Sequence, residues 1–168
     1  LDIRLAYGDD GLQHMYLAGE DVSEAIRRNE VSTGASKVSA IPAVRDFLLE
    51  MQRSLARTHS VIMDGRDIGT VVLPDADLKI YLTADAADRA RRRCLELKQR
   101  GQEVDYEQVL QDVIDRDRRD MERETAPLRR AEDAVLSYTS GIDLEASLRL
   151  LTGIVTDRLD LKSKEEQG

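Results

Sequence analysis

The sequence predicts an α/β fold, in which a parallel sheet is covered by helices and preceded by a small unit of mixed strands and helices. Short apolar runs at 60–63, 78–82 and 134–138 indicate buried strands, because parallel strands are covered on both faces. Helical patterns separate these runs, and alternating strands and helices are typical of a parallel sheet. Residues 1–58 show a different pattern, which indicates a separate α+β unit.

The first elements of this α+β unit form a predicted β-hairpin. Residues 1–7 and 12–17 alternate apolar and polar side chains on either side of a Gly-Asp-Asp-Gly turn sequence. Asp21 is then expected to cap a short helix, with Glu24 three residues later as in a capping box.

Helices account for most of the remaining chain. A short helix is predicted over 32–39, and Pro42 fits the first turn of a longer amphipathic helix. Gly101 is expected to end the next helix, because glycine readily adopts the conformation found after a helix C-terminus. The three later helices are predicted over 85–100, 106–123 and 143–159.

Composition limits the classes of function. The chain has 168 residues, of which 41% are hydrophobic and 35% charged, with a net charge of −8. This acidic balance argues against non-specific binding to nucleic acid or to an anionic membrane. No apolar run approaches the ~20 residues of a membrane span, so no membrane partner is predicted.

Cysteine and histidine usage narrows the chemistry further. Cys94 is the single cysteine, which indicates a reduced thiol and a cytoplasmic protein without an intrachain disulfide. Neither His14 nor His59 has a Cys or His partner at metal-ligand spacing, so both are predicted to be structural or exposed and no metal site is predicted. Hydrolase and dehydrogenase alternatives lack support, because neither Gly-x-Ser-x-Gly nor Gly-x-Gly-x-x-Gly occurs.

Three charged groups carry alternative interpretations. Arg116, Asp120 and Arg123 share one helical face, which is either a solvated surface or a site for a phosphorylated, hydroxylated ligand. Residues 64–70 are either an ordinary polar turn or a ligand loop at the carboxyl end of a strand. The basic run at 89–100 is either a solvated face or a polyphosphate site.

A long ordered set of motifs resembles cytidylate kinases. It includes Asp-Gly-Arg-Asp-Ile-Gly-Thr from Asp64, Leu-Lys-Ile-Tyr-Leu from Leu78, and Arg-Asp-Arg-Arg-Asp ending at Asp120. Upstream, Ile-Pro-Ala-Val-Arg ending at Arg45 is similar to the monophosphate-binding insertion of the same family. The resemblance implies a P-loop nucleoside-monophosphate kinase core with a parallel sheet, incomplete at the N-terminus, plus a small α+β CMP-binding insertion.

The resemblance also implies roles for individual residues. Those expected to recognise the cytosine edge are Ser36, Arg45 and Asp67. The ribose hydroxyls are expected to be bound by Arg116 and Asp120. The CMP phosphate is expected to be bound by Arg66 and Arg123. Arg92 is expected to approach the ATP phosphates. The implied domains are a CMP-binding insertion at 1–58, a core at 59–161 with a lid at 94–105, and a frayed tail at 162–168.

The implied activity is transfer of the γ-phosphoryl group of ATP to CMP or dCMP, with Mg²⁺ accompanying ATP, in a cytoplasmic monomer. One departure is the lack of a Gly-x-x-x-x-Gly-Lys-Ser/Thr pattern, which holds the ATP phosphates in this family. The chain also opens without Met, so we expect it to be a fragment that does not turn over ATP by itself. The alternative function is a non-catalytic nucleotide-binding fragment.

Overall fold

The computed structural model describes residues 2–39 and 41–160, and it shows a mixed α/β protein. The chain divides into two compact units, with the boundary between Leu55 and Ala56. Within the described residues, no helix combines the length and the apolar character that a membrane span requires. The predicted tail at 162–168 lies outside the described residues.

The first unit contains the predicted hairpin. Strand β1 (Ile3–Tyr7) pairs antiparallel with β2 (Gln13–Leu17), and the two-residue strand β3 (Glu20–Asp21) pairs with β2. Gly11 in the connecting turn has a φ of 73°, a left-handed conformation that is unfavourable for residues other than glycine. The prediction of a hairpin from alternating side chains and turn residues is therefore confirmed.

The predicted cap at Asp21 is wrong. Its Oδ1 atom accepts hydrogen bonds from the Ser23 backbone N–H at 2.9 Å and from the Ser23 hydroxyl at 2.6 Å. Its Oδ2 atom lies 2.8 Å from Nδ1 of His14. Because both carboxylate oxygens are engaged beside the sheet, Asp21 does not cap the short 3₁₀ turn that follows at Ala25–Arg27.

Two helices complete the first part of the chain. Helix α1 (Asn29–Val38) begins three residues before the predicted start at 32. Helix α2 (Pro42–Thr58) has Pro42 as its first residue, as predicted. Proline suits this position because the first-turn N–H has no intrahelical acceptor.

The predicted strand at 60–63 does not form. Residues 60–64 have no regular secondary structure, and the side chain of Ile62 is 99% exposed. A strand requires a hydrogen-bonded neighbour, and none of the described strands pairs with this segment. The chain continues instead into a single turn of π-helix at Ile68–Val72.

The parallel sheet of the second unit has two strands among the described residues. Strand β4 (Ile80–Thr83) pairs in parallel with β5 (Val135–Tyr138), so two of the three predicted strands are confirmed. Their burial is only partial, since Leu82 and Leu136 are exposed. Leu136 is aligned with Tyr81, and Leu82 with Ser137, so the two exposed leucines lie on opposite faces of the sheet. Neither face is therefore fully covered by the described elements.

The remaining helices occur as predicted, with small shifts at their ends. They are α3 (Ala86–Gln99), α4 (Tyr106–Glu122) and α5 (Leu144–Arg158). Asp105 and Asp143 cap α4 and α5 by accepting backbone N–H groups at 2.8 and 2.7 Å. Gly101 has a φ of 75° just beyond α3, which confirms its predicted role in ending that helix.

Helices α3 and α4 pack against each other and contribute to the core of the second unit. The buried apolar residues of this unit are mostly small: Val72, Ala84, Ala90, Cys94, Leu97 and Ala134. Ala90, Cys94 and Leu97 lie on α3, where spacings of three and four place them on one face. Cys94 is a buried free thiol.

Candidate functional site

Two separate segments of the second unit bring arginines and aspartates together. Arg66 and Asp67 precede the π-helical turn, whereas Asp120 lies in the last turns of α4 and Arg123 directly follows that helix. The Nε atom of Arg66 lies 2.9 Å from Oδ2 of Asp120. An Nη atom of Arg123 lies 3.5 Å from Oδ1 of Asp67. Two crossed ion pairs therefore join the loop to the helix.

Asp120 occupies a central position in this cluster. Its side chain is 15% exposed, whereas those of Arg66 and Arg116 are 39% and 54% exposed. Nε of Arg116, one helical turn earlier, lies 4.0 Å from the same Oδ2 atom that Arg66 approaches. The carboxylate thus holds two guanidinium groups near each other while leaving parts of both accessible.

The end of α4 fixes the orientation of Arg123. The backbone turns back after the helix, so that the Leu128 N–H donates to the Asp120 carbonyl at 2.8 Å. Ala126 adopts a φ of 50°, an uncommon conformation for a residue with a Cβ atom. Its carbonyl accepts a hydrogen bond of 2.7 Å from Nε of Arg123. The loop therefore holds the Nε atom of Arg123, while an Nη atom of the same guanidinium group lies near Asp67.

Some polar atoms of the cluster have hydrogen-bonding capacity that the described residues do not use. An Nη atom of Arg123 and the Oδ2 atom of Asp120 are buried and make no hydrogen bond of acceptable geometry. Oδ2 of Asp120 is still within ion-pair distance of Arg66, so its charge is compensated although its hydrogen-bonding direction is poorly matched. Buried polar groups of this kind favour a polar ligand.

The cluster suits an anion that also carries hydroxyl groups. Arg66, Arg116 and Arg123 supply planar guanidinium donors, which match phosphate oxygens in pairs. The carboxylates of Asp67 and Asp120 restrain these arginines, and a carboxylate also accepts hydrogen bonds from hydroxyl groups. All five residues were singled out from the sequence, and the structure brings them together.

Arg92 has a different set of contacts. It donates to the carbonyls of Thr139 and Ile142, the second at 3.3 Å, and pairs with Oδ2 of Asp88 at 2.7 Å. These contacts attach α3 to the turn that follows β5, and none of them involves the cluster on α4. Its role toward ATP phosphates stays a prediction.

Two predicted residues belong to the first part of the chain. Arg45 lies on α2, where one Nη atom donates to the Ser39 carbonyl at 3.3 Å. Ser36 lies on α1, and its side chain is outside the described part of the structure. Their roles in recognising the cytosine edge also stay predictions.

The sequence reasoning did not single out Asp117, which lies on α4 close to the cluster. Its two carboxylate oxygens accept two hydrogen bonds from the guanidinium group of Arg89 on α3. Arg89 appeared in the sequence only as one member of a basic run. No local pattern could have identified the pair, because its members are 28 residues apart and meet only when α3 and α4 pack.

His14 has a structural environment. Nδ1 lies 2.8 Å from Asp21 and Nε2 lies 3.2 Å from Asp10, so the ring is placed between two carboxylates of the first unit. Across residues 2–39 and 41–160, no three or more His, Cys, Asp or Glu side chains are grouped as a metal ion would require.

Comparison with known proteins identifies close relatives. The sequence model of the family described as "Cytidylate kinase" matches residues 2–153. A cytidylate kinase of Caldicellulosiruptor bescii is 56% identical over 140 residues, which are 83% of this chain and 62% of that protein. One from Carboxydothermus hydrogenoformans is 48% identical over 160 residues, which are 95% of this chain and 72% of that protein.

A third relative matches a similar part of the chain. The cytidylate kinase of Pseudomonas paraeruginosa is 48% identical over 147 residues, which are 87% of this chain and 64% of that protein. The chain therefore spans less than two thirds of the length of the Caldicellulosiruptor and Pseudomonas proteins.

Proposed function

The chain belongs to the cytidylate kinase family, and on this premise we propose that the protein transfers the γ-phosphoryl group of ATP to CMP or dCMP. The products are ADP and CDP or dCDP. The observation that carries the proposal is the cluster formed by two ion pairs. Arg66 pairs with Asp120, and Arg123 pairs with Asp67. The relatives' shared name favours a kinase over a non-catalytic nucleotide-binding protein.

The cluster supports a distinct role for each member. Arg66 and Arg123 bind the CMP phosphate, since both present guanidinium edges restrained by an aspartate. Arg116 and Asp120 bind the ribose hydroxyls, because Asp120 is an acceptor and lies one helical turn from Arg116. We further propose that Ser36, Arg45 and Asp67 recognise the cytosine edge, as the family resemblance implies.

The proposed reaction needs positioning and charge neutralisation from the protein. An oxygen of the CMP phosphate attacks the γ-phosphorus of ATP, and the bond to the β–γ bridging oxygen breaks as ADP leaves. The attacking group is an anion approaching another anion, so the arginines at the CMP phosphate reduce the repulsion between them. Restrained guanidinium groups also lower the entropic cost of aligning the attacking oxygen with the γ-phosphorus.

Mg²⁺ would neutralise charge on the ATP phosphates when the nucleotide binds. The described residues contain no group of three or more His, Cys, Asp or Glu side chains around a possible metal position, and Mg²⁺ bound with a nucleotide takes many of its ligands from phosphates and water. The printed sequence also contains no Gly-x-x-x-x-Gly-Lys-Ser/Thr pattern. We therefore assign to this chain the binding of the acceptor nucleotide and derive no step from the metal.

The finer architecture belongs to the same proposal. Residues 59–161 correspond to a P-loop nucleoside-monophosphate kinase core with a lid at 94–105, and residues 1–58 to a CMP-binding insertion. The parallel pair of β4 and β5 and the helices around it support the core assignment. A cytoplasmic location and a monomeric state complete the proposal.

A coupled assay on the native protein tests the activity. ADP formation is measured with CMP, dCMP, UMP and AMP as acceptors under identical conditions. We expect CMP and dCMP to be used at least about tenfold more efficiently, because polar groups that match one base edge remain unpaired with another. Equal efficiency with AMP or UMP, or no nucleotide-dependent ADP formation, would contradict the proposal.

A further inference from the structure

An ion pair between α3 and α4 lies next to the proposed CMP site. Nη1 of Arg89 donates to Oδ1 of Asp117 at 2.9 Å, and Nη2 of Arg89 donates to Oδ2. Two parallel hydrogen bonds fix the relative orientation of both groups, which a single contact does not. The pair is also sheltered from solvent, since the side chain of Asp117 is 17% exposed.

Arg89 connects this pair to the sheet as well. Its Nε atom donates to the carbonyl of Ala84 at 3.1 Å. Ala84 directly follows β4 and is buried. The guanidinium group therefore joins the end of a sheet strand, α3 and α4 through three hydrogen bonds.

The charges of the pair are mutually stabilising. Hydrogen bonding to Arg89 lowers the pKa of Asp117 below its usual value, and the positive charges of Arg66 and Arg116 lower it further. Hydrogen bonding to Asp117 raises the pKa of Arg89. Both residues are consequently charged at neutral pH, and Asp117 is within electrostatic reach of two arginines of the proposed site.

Helix geometry relates Asp117 to the functional face of α4. At about 100° per residue, Asp117 and Asp120 are about 60° apart around the helix axis. Fixing the direction of Asp117 therefore fixes the direction in which Asp120 points. A rotation of about 20° would move a side-chain end lying about 6 Å from the axis by about 2 Å. Such a shift would separate Asp120 from Arg66, which lies on a different segment.

We infer that Arg89 and Asp117 are positioning residues that hold α4 in the rotation at which Arg116, Asp120 and Arg123 engage CMP. The inference rests on the proposed function, because it concerns the same nucleotide site. Neither residue is required to touch the nucleotide. The pair acts through α4, whose C-terminal turns carry Asp120 and lead into Arg123.

Positioning can be separated from a simple electrostatic influence by the sign of its effect. Arg89→Gln removes a positive charge near a bound anion, and Asp117→Asn removes a negative charge. A field effect alone would weaken CMP binding in the first variant and strengthen it in the second. A positioning role weakens CMP binding in both variants, because each breaks the same paired hydrogen bonds.

The experiment measures Kd for CMP by calorimetry with the 168-residue chain, the two single variants and the double variant. We expect each single variant to bind CMP roughly tenfold more weakly, and the double variant to lose no more than about the same factor. Arg89→Lys keeps the charge without the fork geometry, and it should also bind more weakly. Circular dichroism establishes that each protein compared is folded.

Matched controls come from a neighbouring pair on the same helix. Arg118 donates to Asp115 at 2.8 Å, and its side chain is 62% exposed. Arg118→Gln and Asp115→Asn make the same charge changes without affecting the junction of α3 and α4. Both should change Kd by less than about twofold, since exposed ion pairs contribute little.

The outcomes distinguish the inference from the proposed function. Unchanged or tighter CMP binding by folded Asp117→Asn, or additive losses in the double variant, would overturn the positioning role alone. Failure of the folded wild-type chain to bind CMP would refute the assigned nucleotide site, and the positioning inference with it. Hydrogen exchange provides a second readout: α4 amides should exchange faster in Asp117→Asn than in Asp115→Asn, and equal exchange would contradict positioning.

Discussion

The ion pairs of His14 in the first unit differ in chemistry from those that form the candidate site in the second. In the first unit, the imidazole of His14 lies between Asp10 and Asp21, which are close to it in the sequence. In the second, Arg66 pairs with Asp120 on another element, and Arg89 pairs with Asp117 on another helix. One set is local and the other joins separate segments.

This difference has consequences for pH dependence and for function. The charge of histidine changes near neutral pH, whereas a guanidinium group remains protonated throughout the physiological range. The histidine cluster should therefore contribute a pH-dependent stability to the first unit. The arginine clusters should keep their charge throughout the physiological pH range. Substituting one of these arginines should therefore be detected mainly as weaker binding of a phosphorylated ligand.

The largest expected effect concerns the phosphate contact. Arg123→Ala should weaken CMP binding by about 1.5–3 kcal/mol, which is the scale of a hydrogen bond to a charged group. The loss is measured as a change in Kd by calorimetry, with Arg118→Ala on α4 as the control. CMP binding unchanged by Arg123→Ala would remove this residue from the site and would weaken the contrast between the two units.

A smaller and more selective effect is expected for Asp120→Ala. A carboxylate that accepts a hydrogen bond from a ribose hydroxyl contributes only when that hydroxyl is present. The CMP and dCMP substrates differ in the 2′-hydroxyl. The preference between them should therefore change by about 1 kcal/mol in the variant. A general loss should accompany it, because Arg66 and Arg116 lose their shared partner.

The comparison is the ratio of kcat/KM for CMP and dCMP in the native protein and in its Asp120→Ala variant. A change in this ratio supports ribose binding by Asp120. An identical ratio would make Asp120 a scaffold for the arginines, since a purely structural ion pair does not discriminate between the two sugars.

The first unit should show a pH-dependent stability that comes from His14. Hydrogen bonds that His14 donates to Asp21 and, to a smaller extent, to Asp10 raise its pKa above 6.5. The stabilisation is therefore complete below pH 6.5 and lost as pH rises through the raised pKa. Hydrogen bonds from Ser23 and His14 lower the pKa of Asp21 from 3.8 to about 2. The carboxylate's contribution is present above pH 3.8 and lost as pH falls toward about 2.

Thermal unfolding of wild type and His14→Asn across this range tests the assignment. The difference in Tm should be largest between pH 3.8 and 6.5 and should decrease on the alkaline side. A difference that does not vary with pH would show that packing of the ring, rather than its charge, stabilises the hairpin.

The smallest effect is expected at an exposed pair outside both clusters. Arg149 donates to Glu145 on α5 at 2.6 Å, and the two side chains are 65% and 81% exposed. Arg149→Gln should change the free energy of unfolding by less than about 0.5 kcal/mol, as solvent screens such pairs. A substantially larger loss of unfolding free energy, measured by chemical denaturation, would contradict this expectation. Solvent exposure would then not explain why some ion pairs contribute more than others.

The sequence alone determined the local elements with good accuracy. Turn residues and alternation predicted the hairpin of β1 and β2, and Gly101 predicted the end of α3. These features depend on residues only a few positions apart, so the sequence contains their physical cause. The failed prediction at 60–63 concerns a strand, whose formation depends on a distant partner.

The sequence also identified most of the candidate site, while the tertiary structure decided how its members pair. Arg116, Asp120 and Arg123 share a face because of helical spacing, which the sequence shows directly. That Arg66 meets Asp120, or that Arg89 meets Asp117, depends on how a loop and two helices pack. The burial of α3 and α4 against each other sets the second contact, and the position of a loop beside α4 sets the first; no local pattern specifies either.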